Sequence, residues 1–432
     1  MRKGYLHIRG GRPLEGTVEA SGSKNAALPI MAASLLADSA VRLRRVPRLA
    51  DVGNLVAVLR CLGMDVGREG DAIQIAPRDT APFQAGYTHV RRMRASFCVL
   101  GPLLARRGRA VVALPGGCRI GPRPVDLHLK GLAALGADLS IRNGDVIARA
   151  ARLRGAKIDL AGPAGSTVTG TANVMSAATL ARGTTTILHA AQEPEIVDLG
   201  RFLNRLGADI EGLGSSTVTI RGVDQLGGAA YRVTADRIEA ATLLLAAAIS
   251  GGRVSVEKVV PGDLRAVFER LDQAGMELTI GADRVSLLAE RLPRPLRITA
   301  TPYPGFPTDL QAQFTALLCL ARGQSRVADA VFPQRFLHLA ELRRLGAEVA
   351  AGAAGAVVRG PCRLSGAPVA ATDLRAGAAL VLAGLAAEGK TVVHGVNHLE
   401  RGYERLDRKL AALGADIVRK DRAARWIPNG PP

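Results

Sequence analysis

Leu206-Gly207-Ala208-Asp209 follows an apolar stretch of the chain, and a close relative of this phrase occurs at five other places. The glycines of the six copies recur every 68 to 73 residues, at Gly63, Gly136, Gly207, Gly275, Gly346 and Gly414. Such regular spacing indicates one structural unit used six times, with a period longer than that of common solenoid repeats. We predict that each glycine ends a helix in the left-handed conformation, where it suffers no Cβ clash.

Each unit should also contain a second helix, richer in alanine and leucine. The copy from Arg237 to Ile249 is apolar around most of its circumference, as is typical of a helix buried on all sides. Short β-branched segments such as Thr184 to Leu188 follow these helices and are typical of strands. The sequence therefore predicts an α/β fold whose unit runs strand-helix-strand-helix-strand-strand. Four aspartates could cap or charge helix starts: Asp51, Asp126, Asp198 and Asp263.

The length and composition fit a globular protein of two domains. A chain of 432 residues is too long for one simple core, so we expect two domains of three units each. The apolar stretches are shorter than the roughly 20 residues that cross a bilayer, and no apolar leader follows Met1. We therefore expect a cytoplasmic protein with no membrane partner.

The five cysteines predict neither disulfides nor a metal site. They are odd in number and scattered, without the spacing of zinc ligands. Cys98 and Cys319 lie in apolar helices and should be core residues.

The net charge of +19 points to anionic partners or to a basic surface. A nucleic-acid binder is one interpretation. The sequence argues against it, because it has no aromatic platform, no dense basic run and no known reader motif. We favour a cleft that attracts small anionic substrates, with the remaining charge spread over a solvated surface.

The loop around Cys118 carries the clearest chemical signal. Three glycines and three prolines stand among the ten residues from Pro115 to Pro124, which excludes regular structure. Cys118 lies at the centre with Arg119 and Arg123 nearby, and such guanidinium groups should lower the pKa of a thiol. An isolated loop cysteine is usually inert, but the density of glycine and arginine favours a reactive thiol here.

Helix starts give a second group of candidates. Lys24, Arg94 and Arg375 are basic residues at equivalent helix starts, where the helix dipole disfavours a cation. Several such N-termini aimed at one cleft would bind an anion, although each cation alone could equally be a solvated charge. Asp309 is acidic, and among cations it should stay ionised and could accept a proton from a hydroxyl, unless it is an ordinary N-cap. Arg401, before the last helix, is a weaker candidate.

The chain resembles the enolpyruvyl transferase family over nearly its whole length. The motifs that carry the resemblance are Ser21 to Pro29, Gly116 to Cys118, Arg123 to His128, Glu193 to Asp198, Phe306 to Gln313, Ala371 to Ala376 and Arg401 to Arg405. The resemblance implies two inside-out α/β barrel domains built from six βαβαββ units, with the active site in the cleft between them. One domain would span 22–232 and the other 1–21 plus 233–425, and residues 426–432 would form a disordered tail.

The resemblance also implies a reaction. The enolpyruvyl group of phosphoenolpyruvate would pass to the 3′-hydroxyl of UDP-N-acetylglucosamine by addition and elimination, with release of phosphate, at the start of peptidoglycan precursor synthesis. No metal, organic cofactor or obligate protein partner would be needed. Cys118 would be the general acid and could add covalently to the substrate, and Asp309 would take the proton from the sugar hydroxyl.

The remaining site residues follow from the same resemblance. Lys24, Arg123 and Arg401 would hold the phosphate, and the guanidinium forks of Arg375 and Arg401 would hold the carboxylate. The nucleotide sugar would contact Asn25, Arg94, Arg123, Pro124, Val125, Asp126, Leu127, Ser166, Thr167, Val168 and Val331. Closure of the domains would expel water and strengthen these charge contacts.

Two alternatives stay open. A sister enolpyruvyl transferase that acts on shikimate 3-phosphate shares the sixfold repeat but not the cysteine-bearing loop. A non-catalytic paralogue that binds nucleotide sugars would need a defect in a site whose thiol and carboxylate are both present.

Overall fold

The computed structural model describes residues 4–115, 124–163, 165–352 and 355–420, so the expected tail at 426–432 lies outside the described residues. The described residues form 24 strands and 14 α-helices. The strands are β1 (Tyr5–Arg9), β2 (Glu15–Glu19), β3 (Val41–Arg44), β4 (Met64–Glu69), β5 (Ala72–Pro77), β6 (Gln84–Ala85), β7 (Arg109–Ala113), β8 (Asp138–Arg142), β9 (Asp145–Arg149), β10 (Lys157–Asp159), β11 (Thr184–Leu188), β12 (Asp209–Glu211), β13 (Thr217–Arg221), β14 (Ala230–Arg232), β15 (Arg253–Glu257), β16 (Glu277–Ile280), β17 (Arg284–Leu288), β18 (Arg297–Ala300), β19 (Gly323–Asp329), β20 (Glu348–Gly352), β21 (Gly355–Gly360), β22 (Pro368–Ala370), β23 (Lys390–His394) and β24 (Asp416–Lys420).

The helices alternate with these strands. They are α1 (Lys24–Ala33), α2 (Ala50–Cys61), α3 (Tyr87–Val90), α4 (Leu100–Arg107), α5 (Asp126–Ala134), α6 (Val168–Ala178), α7 (Pro194–Leu206), α8 (Arg237–Ser250), α9 (Arg265–Gln273), α10 (Gln311–Leu318), α11 (His338–Arg344), α12 (Leu374–Ala386), α13 (Val396–Leu399) and α14 (Leu406–Ala412). Four 3₁₀ turns supplement them, at Ser34–Leu36, Arg94–Val99, Pro261–Leu264 and Thr308–Leu310.

The strands form six four-stranded sheets of one design. In the sheet β10-β11-β13-β12, β10 runs parallel to β11, and β13 is antiparallel to both β11 and β12. Helix α6 connects β10 to β11, and helix α7 connects β11 to β12, which β13 follows. This is the predicted strand-helix-strand-helix-strand-strand order. The other sheets are β14-β3-β5-β4, β6-β7-β9-β8, β2-β15-β17-β16, β18-β19-β21-β20 and β22-β23-β1-β24. The prediction of six repeated α/β units is confirmed.

The repeat glycines end helices as predicted. All six have φ between 78° and 107°, in the left-handed region that favours glycine. Gly207 shows the reason: its N–H donates to the carbonyl of Asn204 as α7 ends, and Ala208 N–H donates to Leu203. These bonds satisfy carbonyls that the helix leaves without partners, so the chain can turn directly into β12.

None of the four aspartates expected to cap or charge a helix start is an N-cap residue, but Asp51, Asp126 and Asp263 do add charge to a first turn. The residue at the N-cap of α2 is Leu49, and Asp51 lies within the first turn with its carboxylate turned elsewhere. Asp198 lies inside α7, where its carboxylate accepts hydrogen bonds from the Tyr231 hydroxyl and from the N–H of Thr234. The carboxylates of Asp51 and Asp198 therefore bind residues that are distant in the sequence, although their local sequence favours capping. Asp126 and Asp263 add first-turn charge without capping.

Two apolar cores organise the molecule. One gathers buried residues between positions 26 and 233, and the other gathers residues 6–20 and 238–417. In the second core, α8, α10 and α12 pack against one another, and α8 is buried from Ile238 to Ile249. Apolar helices inside and sheets outside make the inside-out arrangement, and on this division we propose the boundaries 22–232 and 1–21 plus 233–425. None of the helices in the described parts of the chain combines the length and apolarity needed to cross a bilayer.

Two predicted core cysteines are confirmed. Cys98 is 4% exposed and Cys319 is fully buried. Burial disfavours the thiolate and raises the pKa of both thiols to about 12, so neither is a nucleophile at neutral pH.

Two segments carry the chain between the cores, and they are hydrogen-bonded to each other. Ser23 N–H donates to the Thr234 carbonyl at 2.8 Å, and Asp236 N–H donates to the Ser21 carbonyl at 2.9 Å. Gly22 lies between these bonds, packed closely against the backbone at Arg45. We call residues 20–23 and 233–236 the crossing segments.

Gly22→Ala should destabilise the protein at this crossing. A Cβ on residue 22 would lie 1.7 Å from the carbonyl oxygen of Arg45, a backbone atom that cannot rotate away. We expect the free energy of unfolding to fall by about 1–3 kcal/mol, the usual cost of overpacking. Gly53→Ala, inside α2 where a Cβ meets nothing within 4 Å, is the control and should stabilise by about 0.5–1 kcal/mol. Urea denaturation measures both, and equal midpoints for the two variants would contradict the prediction.

Candidate functional site

Charged side chains from both cores meet where several helices begin. Lys24 opens α1, Asp309 lies in the turn Thr308–Leu310, Arg375 is in the first turn of α12, and Arg401 follows α13. Burial lowers the pKa of Lys24, Asp51 opposes this, and Arg375 and Arg401 lower it further. Asp51 contacts both Lys24 and Arg401, and Asp309 contacts both Arg375 and Asn25, the residue after Lys24. The predicted cations Lys24, Arg375 and Arg401 therefore lie close together.

Asp309 is held between two guanidinium groups. Nη2 of Arg375 donates to its Oδ2 at 2.7 Å, and Nη1 of Arg335 donates to its Oδ1 at 2.9 Å. Nδ2 of Asn25, from the other core, donates to Oδ2 at 3.4 Å. Burial alone would raise the pKa of Asp309, but Arg375 and then Arg335 outweigh it and hold the pKa well below its usual value. Asp309 is therefore an ionised carboxylate, and it is not an N-cap, because Pro307 occupies that position.

Arg335 belongs to this site although the sequence did not point to it. Its side chain is 7% exposed and also donates to the Thr308 hydroxyl at 3.0 Å. Its place in the loop before α11 gives none of the helix-start signal that marked Lys24 and Arg375. Only the tertiary contact with Asp309 identifies it.

Arg375 is a buried cation with spare hydrogen-bonding capacity. Its side chain is 2% exposed, and the carboxylate of Asp373 caps α12 by accepting from its backbone N–H at 2.8 Å. Burial would lower the pKa of Arg375, but Asp309, Tyr403 and Asp236 together outweigh burial and raise it. Nε and Nη1 make no hydrogen bond of standard geometry with any described residue. A buried donor without an acceptor is costly, so this guanidinium is suited to an incoming anion.

Asp51 joins two of the predicted phosphate ligands. Its Oδ2 lies 2.8 Å from Nζ of Lys24, and its Oδ1 accepts from Nε of Arg401 at 2.9 Å. The carboxylate is 1% exposed, whereas Lys24 is 12% and Arg401 33% exposed. One buried anion thus lies between two cations that come from different cores.

The predicted nucleotide-sugar residues form a second group. Nη2 of Arg94 donates to the carbonyl of Pro124 at 2.9 Å, just before Val125 and the start of α5 at Asp126. Leu127 packs close to Gly162. In the same loop Ser166 precedes Thr167, which caps α6 by accepting from Gly170 N–H, and Val168 begins that helix.

The two cores also face each other beside this group. A Cβ on Gly165 would lie 3.0 Å from Cγ of Pro302, so Gly165 lies against the loop that precedes Thr308 and Asp309. Val331 lies on the same side, where its N–H donates to Asp329, and Asp329 accepts from the Thr308 hydroxyl at 2.6 Å. The nucleotide-sugar residues are therefore connected to the Asp309 site through short contacts.

Cys118 and Arg123 lie outside the described residues. The described chain stops at Pro115, after β7, and resumes at Pro124, before α5. Their predicted roles therefore rest on the sequence.

His128, in α5, should remain neutral well below physiological pH. Burial and then Arg94 lower its pKa to about 3. Nδ2 of Asn173 donates to Nδ1 at 2.8 Å, so Nε2 carries the proton and donates to the Thr169 hydroxyl at 3.1 Å. We expect ¹⁵N NMR shifts of this ring to report the Nε2–H tautomer from pH 8 to about pH 4. Titration of His128 near pH 6.5, the ordinary value for an imidazole, would contradict the assignment.

Known proteins share both the sequence and this architecture. A family model described as EPSP synthase (3-phosphoshikimate 1-carboxyvinyltransferase) matches residues 8–410. A protein of Myxococcus xanthus named UDP-N-acetylglucosamine 1-carboxyvinyltransferase is 51% identical over 416 residues, which cover 96% of this chain and 98% of that protein. One of the same name from Sorangium cellulosum is 50% identical over 418 residues, with 96% and 98% covered.

Solved structures agree with this assignment. The enolpyruvyl transferase NikO from Streptomyces tendae is 28% identical, with a TM-score of 0.86 over 97% of this chain and 99% of that one. EPSP synthase from Acinetobacter baumannii, at 19% identity and a TM-score of 0.76 over 97% and 100% of the two chains, shares the fold. The resemblance that the motifs indicated is confirmed, and the chain belongs to the enolpyruvyl transferase family, as a relative of the UDP-N-acetylglucosamine 1-carboxyvinyltransferases.

Proposed function

We propose that the protein transfers the enolpyruvyl group of phosphoenolpyruvate to the 3′-hydroxyl of UDP-N-acetylglucosamine and releases phosphate. The observation that carries the proposal is the ionised carboxylate of Asp309, fixed by two arginines beside a cluster of cations. A reaction between a hydroxyl and a highly anionic enol ester needs both a base and cations. The names of the relatives from two organisms support this choice of substrates.

The chemistry assigns a part to each group. Protonation of the methylene carbon of phosphoenolpyruvate, by the Cys118 thiol, makes C2 electrophilic. The 3′-hydroxyl oxygen then bonds to C2 while Asp309 takes its proton. Return of a methyl proton to the Cys118 thiolate and departure of phosphate then re-form the C=C bond, which leaves the enolpyruvyl group as an enol ether on the sugar oxygen. Lys24, Arg123 and Arg401 hold the phosphate, and Arg375 and Arg401 hold the carboxylate.

The low pKa of Asp309 has a consequence for this mechanism. A carboxylate this acidic is a weak base, and a catalytic base works best with a pKa near the working pH. A substrate carboxylate at Nε or Nη1 of Arg375 would share that cation with Asp309 and so raise the pKa of Asp309. Substrate binding would thus strengthen the base at the moment it is needed.

The thiol gives a test that does not depend on turnover. Fosfomycin, an epoxide that resembles phosphoenolpyruvate, should alkylate Cys118 when UDP-N-acetylglucosamine is present. Cys61 is an exposed free cysteine and serves as the internal control, which should stay unmodified. Mass spectrometry of the two peptides measures the outcome, and an unmodified Cys118 peptide would remove the role we give it.

Phosphate release decides between the candidate functions. Phosphoenolpyruvate should yield phosphate with UDP-N-acetylglucosamine and not with shikimate 3-phosphate. Release only with shikimate 3-phosphate would establish the sister activity, and release with neither would favour a non-catalytic binder of nucleotide sugars. We further propose that the protein acts in the cytoplasm, in peptidoglycan precursor synthesis.

A further inference from the structure

Asp51 occupies a place that neither helix capping nor the proposed chemistry accounts for. It lies in the first turn of α2, caps nothing, and directs a carboxylate that is 1% exposed at Lys24 and Arg401. Its two oxygens are used separately, one for each cation, at 2.8 and 2.9 Å. The distance between the two cations is therefore set by the width of one carboxylate.

The backbone around this contact is fixed as well. Ala50 N–H, at the start of α2, donates to the carbonyl of Glu400 at 3.0 Å, next to Arg401. Lys24 N–H donates to the carboxylate of Asp236 at 3.2 Å, in the second crossing segment. The main chain is thus anchored at Lys24 itself and at Glu400, next to Arg401. Asp51 then determines where the charged ends of the two side chains lie.

We propose that Asp51 is a positioning residue of the phosphoenolpyruvate site, which holds Lys24 and Arg401 at the spacing and charge state that bind one phosphate group. The inference rests on the proposed function, because it takes these two cations as phosphate ligands. Two cations brought together in a buried place repel each other, and an intervening carboxylate offsets that repulsion. Asp51 shares a single negative charge between the two cations, so it does not by itself neutralise both of them.

The charge state of Lys24 depends on this arrangement. The groups that act on its ammonium are Asp51 from α2, Arg375 from α12 and Arg401 after α13. Asp51 alone among these three raises the pKa of Lys24, against burial and both arginines. Removal of the carboxylate should therefore allow Lys24 to lose its proton at a lower pH.

The corresponding aspartate of the fourth unit provides a contrast. Asp263 lies near Arg237, but there Glu195 pairs with Arg237 through two hydrogen bonds of 3.0 and 3.2 Å. Burial, and to a lesser extent the nearby carboxylates of Glu195 and Asp198, raises the pKa of Asp263 to about 6. Of these two aspartates, Asp51 is the one that joins two cations, and it does so where the anionic substrate is expected.

The test compares Asp51→Asn with Asp263→Asn, the same change at the corresponding position. In Asp51→Asn we expect the KM for phosphoenolpyruvate to rise about tenfold or more, because Lys24 and Arg401 lose the carboxylate that pairs with both of them. The alkaline limb of kcat/KM should move to lower pH, because only protonated Lys24 binds the phosphate and its pKa falls when Asp51 no longer raises it. Asp263→Asn should leave both quantities unchanged.

The outcomes separate the possible failures. Unchanged KM and an unmoved limb in folded Asp51→Asn would overturn the proposal, as would a lower thermal midpoint with only kcat reduced, which is the pattern of a structural residue. If Asp51→Asn does not fold, Asp51→Glu is tested instead. Glutamate keeps the charge but has a longer side chain, so the alkaline limb of kcat/KM should stay in place while the KM for phosphoenolpyruvate rises. An unchanged KM would overturn the proposal. Absence of turnover in the unaltered enzyme would instead refute the proposed function.

Discussion

Asp309→Asn should reduce kcat by about 10²- to 10⁴-fold, the usual contribution of a positioned base. Asparagine keeps the shape of the side chain and an oxygen that can accept from Arg335 or Arg375, so substrate binding should change far less than turnover. Steady-state kinetics with both substrates measure the effect. Equal losses in kcat and in binding would mean that the carboxylate only positions the substrates.

The same substitution should also weaken the fold. Asp309 neutralises Arg335 and Arg375, which are 7% and 2% exposed, and asparagine would leave both buried cations uncompensated. We expect a loss of about 3 kcal/mol in the free energy of unfolding, the lower end for a broken buried pair, because Asp309 itself is 26% exposed.

The pH dependence of this loss follows from the sign of the shift. The pKa of Asp309 is lower in the folded state than in the unfolded chain, so its stabilising effect is complete above the unfolded pKa of about 4 and is lost as pH falls below it. The stability difference between the two proteins should be constant from pH 5 to 8 and should narrow below pH 4. Urea unfolding at several pH values provides the measurement.

Arg375→Lys should raise the KM for phosphoenolpyruvate and lower kcat/KM by about 10²-fold. Lysine keeps the charge, but its single nitrogen cannot bind Asp309 as Nη2 does and also present two further donors to a substrate carboxylate. The buried place of Arg375 makes the lost geometry costly, since few waters can substitute for it.

Arg221→Lys is the matched control for this substitution. Arg221 lies on β13, half exposed, and pairs with Asp209 and Glu211. Surface pairs contribute at most about 1 kcal/mol, so neither stability nor kinetics should change appreciably. If the two lysine variants behave alike, Arg375 does not bind the substrate.

The sequence predicted the repeated parts of this molecule well, because they depend on local physics. Gly207 ends its helix wherever that helix lies, since the left-handed turn follows from the absence of a Cβ. The buried helix α8 could be predicted for a similar reason, because its apolar circumference allows no exposed face. The apolar periodicity and the turn residues were therefore sufficient to predict the six repeated units.

The site could be predicted only in part, because its contacts join distant units. Lys24 and Arg375 carried a local signal as cations at helix starts, but Arg335 has no such signal and is recognised only by its contact with Asp309. Asp51 was predicted to cap or charge its helix start, and it does lie in the first turn of α2. Its actual partner Arg401 lies 350 residues away, and no local pattern specifies which two helix starts will meet.

The place of β1 has a consequence for how the protein is made. β1 is a central strand of the last sheet, hydrogen-bonded to β23 on one side and to β24 on the other. Because β1 is synthesised long before β23 and β24, both of its edges stay open until those two strands have been made. During that interval the half between the crossing segments can fold, so translation order favours completion of one core before the other can close.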